Sequence, residues 1–180
     1  MRLLLLSMAA LFPAFSGGTE LAYPKTEVGA CEVKSLPAGR ILVARSERTY
    51  FSGGNSLFGR LFRYIQSNRI PMTAPVEAGM DPGTMVFHVD VASAARKDLA
   101  SSRDVELKDV PARSVAAVGI RGSYTQSAYE ANLARLREWL ASRKDLEAAG
   151  EPYAVYWDSP FVPGFMKRSE VHIPVRPVAR

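Results

Sequence analysis

Residues near the end of the chain combine an acid, a base and an apolar strand pattern that could form a ligand site. Residues 156–175 read YWDSPFVPGFMKRSEVHIPV. Because successive side chains of a strand point to opposite faces, Glu170 and His172 are predicted to share the face opposite Val171 and Ile173. An ordinary surface strand with one solvated face shows the same alternation.

Glu170 is the residue of this stretch with the clearest chemical role. A partly buried carboxylate stays ionised only when it is paired or hydrogen-bonded. Arg168 lies two residues earlier on the same predicted face and is the expected partner. The pair could face a ligand or fix the floor of a cleft as scaffold, and both interpretations stay open.

The elements that would position these residues occur twice in the same order. An amphipathic helix is indicated in each half, the first by the spacing of Leu57, Leu61 and Ile65 and the second over residues 128–149, where Ser127 to Glu130 form a capping box. Strand-like runs flank both helices, at residues 31–36, 41–47, 72–77 and 85–91 in the first half and 105–110, 114–121, 153–157 and 170–175 in the second. Both halves read ββαββ.

We therefore predict an α+β fold in which two duplicated halves form a curved, mostly antiparallel sheet or distorted barrel. Both helices are expected to cover one face, leaving the other free to form a cleft. The segments after the two helices, residues 70–76 and 156–160, should then occupy related positions.

Two motifs carry a family resemblance. FGRLFRYIQSNRIPMTAPV at residues 58–76, together with the closing stretch at residues 156–175, resembles the SOUL haem-binding protein family. The likeness extends over about residues 28–176 as a single domain and implies the duplicated βαββ-type fold shared with GyrI-like small-molecule-binding domains. Ser169 stands where the family usually has Asn, and residues 95–103 replace a proline-rich lead-in, which affects the loop beside the cleft.

The resemblance implies that haem or another tetrapyrrole binds in a hydrophobic cleft. A porphyrin needs apolar walls and cations for its propionates. The candidate walls are Phe58, Phe62, Met72 and Met166, and the candidate cations are Arg60, Arg63, Lys167 and Arg168. The alternatives are core packing for the aromatic pair, gap filling for the methionines and a solvated helix face for the arginines.

An axial ligand for the haem iron is most often histidine, and the chain has two, His88 and His172. Either could ligate iron, or serve as a hydrogen-bonded structural or surface residue instead. The family likeness includes no fixed histidine at these motifs.

The sequence favours a binding protein over an enzyme, because it contains no catalytic triad, metal-ligand spacing or phosphate-binding glycine loop. Two alternatives remain. One is a hydrolase that uses Glu170 with Tyr156 or Tyr64, and the other is a GyrI-like binder of cationic or amphipathic small molecules that uses Glu170 and Trp157.

The N-terminus predicts export. Residues 1–16 combine Arg2 with an apolar run and a small-residue cleavage signal, as in a signal peptide, which indicates a periplasmic or secreted protein. The run spans about 13 residues, too few for a transmembrane helix. A lipid anchor at Cys31 is not favoured, because residues 17–27 separate it from the run. A net charge of +5 without a basic cluster argues against nucleic acid, and we expect a monomer.

Overall fold

The computed structural model describes residues 19–54 and 56–179, so the predicted signal peptide lies outside the described residues. Eleven strands and three α-helices occur in the described part. The strands are β1 (Glu20–Leu21), β2 (Cys31–Leu36), β3 (Gly39–Arg45), β4 (Thr73–Ala74), β5 (Val76–Gly79), β6 (Thr84–His88), β7 (Glu106–Val110), β8 (Arg113–Arg121), β9 (Leu146–Ala148), β10 (Tyr153–Tyr156) and β11 (Arg168–Pro177). The helices are α1 (Leu57–Ser67), α2 (Val91–Ala94) and α3 (Gln126–Ala141).

One curled antiparallel sheet organises the fold. Its strand order is β2-β8-β11-β10-β5-β6-β3-β7, with β9 added on β11. The order is symmetric about the β10–β5 pair, since β2, β8 and β11 match β7, β3 and β6 in the other half. Each half also supplies its first strand to the edge of the other half, where β2 pairs with β8 and β7 pairs with β3. The predicted α+β class with duplicated halves is confirmed.

Both long helices pack on the same face of this sheet, which we call the helix face. The apolar residues of α1 meet Leu42 of β3 and Phe87 of β6 in one core cluster. The apolar stripe of α3 meets β8 and β11 through Leu136, Val118 and Val171 in a second cluster. The three- and four-residue spacing that predicted the helices thus buries one stripe of each against the sheet.

The helix α3, which was predicted over residues 128–149, is shorter than predicted. It ends at Ala141 because a turn, in which the Arg143 guanidinium is hydrogen-bonded to Asp145, leads directly into β9. Its N-terminal cap is Thr125, whose hydroxyl accepts a hydrogen bond from the Ala128 amide at 3.1 Å, so the predicted capping box at Ser127 is wrong.

The face of the sheet opposite the helices is covered by the N-terminal segment, residues 19–30. Its strand β1 runs parallel to β4, and the Ala22 amide donates to the Ala74 carbonyl at 2.8 Å. Tyr23 is buried in a third core cluster, between β2, β8 and β10. The sequence predicted a free cleft on this face, and instead the chain's own N-terminal segment fills its centre.

Candidate functional site

An apolar groove lies between α1 and the loop that follows β10. Its volume is about 520 Å³, within the roughly 300–1,000 Å³ of small-molecule pockets. The segments 70–76 and 156–160 meet here, as their related positions after the two helices predict. The lining residues are Thr19, Phe58, Phe62, Met72, Thr73, Ala74, Val76, Tyr156, Trp157, Asp158, Ser159, Pro160 and Phe161.

Aromatic rings form both walls of the groove. On α1, Phe58 and Phe62 stack with their ring centroids 5.7 Å apart, and both remain partly exposed. Phe58 also contacts the buried Phe87 edge-on at 5.3 Å, so its core-packing role and its wall role coexist. Opposite them, Tyr156 packs on Tyr124 at 4.4 Å. Such walls suit a flat, unsaturated ligand.

The loop wall is fixed from behind by Tyr124. Its hydroxyl donates to the Arg168 carbonyl at 2.7 Å and accepts from the Asp158 amide at 3.0 Å. Burial raises the pKa of Tyr124 to about 12, so the hydroxyl keeps its proton at neutral pH. The Asp158 carboxylate accepts from the Arg168 amide at 2.5 Å, which closes the base of the loop. The groove therefore has a preformed wall.

None of the four predicted cations lines the groove. Arg60 and Arg63 face a separate depression on the other side of α1, beside Asp98 and Asp104. This placement follows from helix geometry, because Arg60 is two positions from both phenylalanines and Arg63 directly follows Phe62, and residues at such spacings do not share a helix face. The Lys167 ammonium lies over the Tyr124 ring, 5.0 Å from its centroid. It is separated from the groove by Tyr124, which packs behind the groove-lining Tyr156.

Two more predicted residues lie outside the groove lining. Arg168 is the first residue of β11, at the solvent end of the sheet, and its guanidinium is 3.9 Å from Glu27. Met166 is half exposed in the loop before β11. Of the predicted site residues, the structure thus brings Phe58, Phe62 and Met72 together.

Lys25 is a cation near the groove that sequence reasoning missed. Its ammonium nitrogen lies 5.3 Å from the centroid of the Trp157 ring, which lines the groove. Lys25 belongs to the N-terminal segment, which has no periodic pattern to place it against any strand. The sequence therefore carried no signal for this contact.

Glu170 lies in a buried hydrogen-bond network behind the groove, and its side chain is 1% exposed. Oε1 accepts from the Thr26 amide at 2.7 Å and from the Trp157 indole at 2.8 Å. Oε2 accepts from the Thr26 hydroxyl at 2.9 Å and the Lys34 ammonium at 3.1 Å, and lies 2.7 Å from His172 Nε2. The carboxylate is therefore fully satisfied within the fold.

The predicted pairing of Glu170 with Arg168 is wrong. Lys34 takes that place, because β2 lies beyond β8 from β11 and directs Lys34 onto the same buried face as Glu170. Arg168 lies at the end of the strand, where its side chain is partly exposed to solvent and stays outside the buried Glu170 network. The expectation that the carboxylate must be paired holds, with a partner from the opposite end of the chain.

A second buried carboxylate, Glu77, mirrors the first at the centre of the sheet. Glu77 and Glu170 both lie directly opposite Val155, so the three share one face. Glu77 Oε1 accepts from the Tyr23 hydroxyl at 2.9 Å and from Arg113 at 3.0 Å, and lies 2.9 Å from His88 Nε2. A charged residue within the apolar strand 76–78 was the available sequence signal.

Both carboxylates are held ionised. Burial alone would raise their pKa values, but hydrogen bonds and cations reverse this effect. His88 and Arg113 lower the pKa of Glu77 to about 2. The hydrogen bonds from His172 and the Thr26 amide, with the charge of Lys34, lower the pKa of Glu170 to about 2. These groups also bind the N-terminal segment to the sheet.

Neither histidine lines the groove. Burial lowers the pKa of His172 despite the adjacent Glu170, so the ring is neutral at pH 7. Since an ionised carboxylate only accepts, His172 Nε2 carries the proton and Nδ1 is free to accept from the Tyr153 hydroxyl, 3.2 Å away. His88 Nε2 lies 2.9 Å from Glu77 Oε1, which holds this ring against the sheet. The structural interpretation of both histidines is the one that their contacts support.

Solved structures define the class of fold. The C-terminal domain of EcmrR is 15% identical, with 83% of this chain and 98% of that chain covered, and the TM-score is 0.66. An uncharacterized conserved protein from Listeria innocua is 11% identical, with 83% of this chain and 93% of that chain covered, and the TM-score is 0.57. A hydrolase from the same organism is 12% identical, with 84% of this chain and 94% of that chain covered, and the TM-score is 0.53. The chain shares the architecture of these proteins, an α+β fold of the GyrI-like type.

The family follows from the sequence. The family model described as SOUL heme-binding protein matches residues 20–174, and the chain belongs to this family. None of the curated proteins compared with the chain matches it significantly. Among the described residues, no helix combines the length and apolar character needed to cross a membrane.

Proposed function

We propose that the protein binds haem or a related tetrapyrrole in the groove between α1 and the 157–161 loop. The observation that carries the proposal is the pair of aromatic walls around a space of about 520 Å³. Phe58, Phe62 and Tyr156 line this space with aromatic rings, and Met72 contributes an adaptable thioether. Membership of a haem-binding family supports the same ligand class.

The propionates are assigned to the Lys25 side of the groove. Lys25 contacts Trp157 at the rim, and an ammonium there can meet a carboxylate while the ring stays between the aromatic walls. Lys167 extends the positive charge behind Tyr124. Arg60 and Arg63 remain the sequence-based candidates, for a ligand whose propionates reach around α1.

The groove residues fit a porphyrin ring better than they fit a strong axial ligand set. Haem iron is usually held by histidine, cysteinate, methionine or tyrosine. Of these classes, Met72 and Tyr156 occur among the groove-lining residues. When bound, haem would supply its own iron chemistry. The chain's residues would enclose the ring, exclude water and hold the propionates.

The test is a visible-absorption titration of residues 17–180 with ferric haem and, separately, with metal-free protoporphyrin. We expect saturable one-to-one changes with both, at affinities within about tenfold of each other, because the walls and the cation recognise the ring and the propionates. Binding of haem alone would assign the affinity to iron ligation. Saturation with neither would overturn the proposal and turn attention to cationic and amphipathic ligands.

A binding role accords with the state of Glu170. The alternative hydrolase would need this carboxylate to reach a substrate, yet its oxygens are occupied by Thr26, Trp157, Lys34 and His172. A binder of organic cations at Glu170 would likewise require the N-terminal segment to leave. These contacts make the groove the better supported site.

We also propose that the protein acts outside the cytoplasm, on the basis of residues 1–16 alone. The N-terminal segment that follows the predicted leader is integrated into both sheets. Cys31 begins β2 and is partly buried, which gives no support to a lipid anchor there.

A further inference from the structure

The loop before β11, residues 159–166, exposes a cluster of large apolar side chains. Phe161 is 95% exposed, Phe165 is 76% exposed and Met166 is 51% exposed. Partly exposed Phe58 and Phe62 line the same groove as Phe161 and extend the cluster. Single exposed apolar residues are ordinary, but several on one short loop beside an apolar groove are typical of an interaction surface.

This loop is built to hold its aromatic residues outward. Short-range hydrogen bonds fold it into turns, from the Val162 amide to the Ser159 carbonyl at 3.1 Å and from the Met166 amide to the Pro163 carbonyl at 2.9 Å. Gly164 packs closely against Ser123 in the turn after β8, since a Cβ at residue 164 would clash with the Ser123 side chain. Because the backbone is fixed from beneath, the rings do not fold back on the sheet.

Cations surround the base of the same loop. Lys167 and Arg168 follow it directly, and Arg121 lies opposite Arg168 in the β8–β11 pairing. Lys25 lies over Trp157, where the loop departs from β10. The carboxylates at this base are Asp158, which is engaged by the Arg168 amide, and Glu27 near the Arg168 guanidinium. Positive charge therefore exceeds negative charge around the apolar tip.

We propose that the 159–166 loop docks on a lipid surface that carries anionic headgroups. An apolar tip ringed by cations matches the boundary between acyl chains and anionic headgroups, where aromatic side chains insert and each nearby Lys or Arg adds electrostatic attraction. A protein partner would have to match both features, whereas a membrane provides them without a specific sequence. The complementarity of the apolar tip and its basic collar selects the lipid surface.

Docking in this way gives the groove a defined orientation. Phe161 belongs both to the exposed tip and to the groove lining, so the mouth of the groove would open at the lipid surface. An apolar ligand could then pass between membrane and groove without crossing water. This last consequence rests on the proposed function, whereas docking itself does not.

The test is co-sedimentation with phosphatidylcholine vesicles prepared with and without phosphatidylglycerol. Residues 17–180 are used without added ligand, because this chain keeps the whole described fold and lacks the apolar run of the leader, which would itself bind lipid. We compare Phe165→Ser with Val91→Ser. Phe165 does not line the groove, and Val91 on α2 is a matched control because it is 79% exposed. A Lys167→Glu variant is paired with Lys144→Glu, in the exposed turn after α3.

We expect binding to the anionic vesicles that weakens as salt is raised. Phe165→Ser and Lys167→Glu should each weaken it by about fivefold or more, while the two control variants leave it unchanged. No binding to either vesicle overturns the proposal. Equal binding by all variants also overturns it, as does a concentration-dependent dimer that Phe165→Ser dissolves, which would assign the loop to a second copy of the chain. Haem affinity of Phe165→Ser, measured separately, should equal that of the parent chain.

Discussion

The indole of Trp157 joins the ligand groove to the buried Glu170 behind it. Its Nε1 donates to Glu170 Oε1 at 2.8 Å. The ring lines the groove, and the Lys25 ammonium lies over the ring. The same carboxylate oxygen accepts from the Thr26 amide. One side chain thus contacts the ligand space, the sheet and the N-terminal segment.

Replacing Trp157 with Phe should lower both stability and ligand affinity. The smaller ring loses the donor to a buried, ionised carboxylate, which costs roughly 2 kcal/mol in the free energy of unfolding. Urea denaturation measures this change, and the haem titration measures affinity. Trp139→Phe is the control, because Trp139 packs with the α3 cluster, away from the groove. An equal loss in both variants would show that ring size matters and the hydrogen bond does not.

Stability should fall in acid as the buried carboxylates take up protons. The pKa of Glu170 and that of Glu77 are both about 2 in the folded chain, against an ordinary value of 4.5 for this side chain. Because both pKa values are depressed, the unfolded chain binds protons first. The stabilisation is present above about pH 4.5 and is lost as pH falls toward 2.

Each carboxylate should contribute roughly 3 kcal/mol to this loss. Glu170→Gln should remove its share, giving a chain that is less stable at pH 7 and whose stability depends less steeply on pH between 5 and 2. Urea midpoints taken across that range provide the measurement. A variant with the parent's pH profile would mean that Glu170 is not the titrating group.

The groove walls make a separate prediction for ligand binding. Phe62→Ala should weaken haem and protoporphyrin binding by about tenfold, since a wall ring contributes roughly 1–2 kcal/mol of apolar contact. Its effect on folding should be small, because Phe62 is already partly exposed and lies outside the α1 core cluster. Val91→Ala on α2 should change neither quantity. Unchanged affinity in Phe62→Ala would exclude the α1 wall from the site.

The local parts of this fold are predictable from the sequence. The positions of α1 and β11 follow from patterns within a few residues, and the opposition of Glu170 to Val171 follows from strand alternation. The partner of Glu170 does not follow, because Lys34 reaches it across β8 and Thr26 reaches it from the N-terminal segment. Such contacts depend on which strand lies beside which.

The residues of the candidate site also fall into two groups, those that local sequence patterns predict and those that depend on tertiary contacts. Phe58, Phe62 and Met72 were predictable because the helix and the segment after it form one continuous motif. Arg60 and Arg63 belong to that motif too, but the rotation of α1 against the sheet decides which side of the helix faces the groove. Lys25 depends on the course of a segment without periodicity, so only the structure reveals it.

The position of the propionates is tested by removing single cations. Lys25→Ala should weaken haem binding by about threefold, as expected for one exposed charge pair. Lys144→Ala, on an exposed turn at the end of α3, should leave it unchanged. Arg63→Ala distinguishes the two assignments. If it weakens binding and Lys25→Ala does not, the propionates reach around α1 and the sequence-based assignment replaces the present one.

A double-mutant cycle tests whether the N-terminal segment and the groove wall are coupled through Glu170. Thr26→Val removes a hydroxyl donor from Oε2, and Trp157→Phe removes the donor to Oε1. Because both donors stabilise one buried charge, the loss of the first makes the second more important. The change in unfolding free energy of the double mutant should differ from the sum of the two single changes by roughly 0.5–2 kcal/mol, the range for residues that share a network.

The control is Thr125→Val, which removes the α3 cap in a separate region, and its effect should add to that of Trp157→Phe without coupling. Additivity in both cycles would mean that the carboxylate serves its two partners independently, and the segment would then have no energetic connection to the ligand groove.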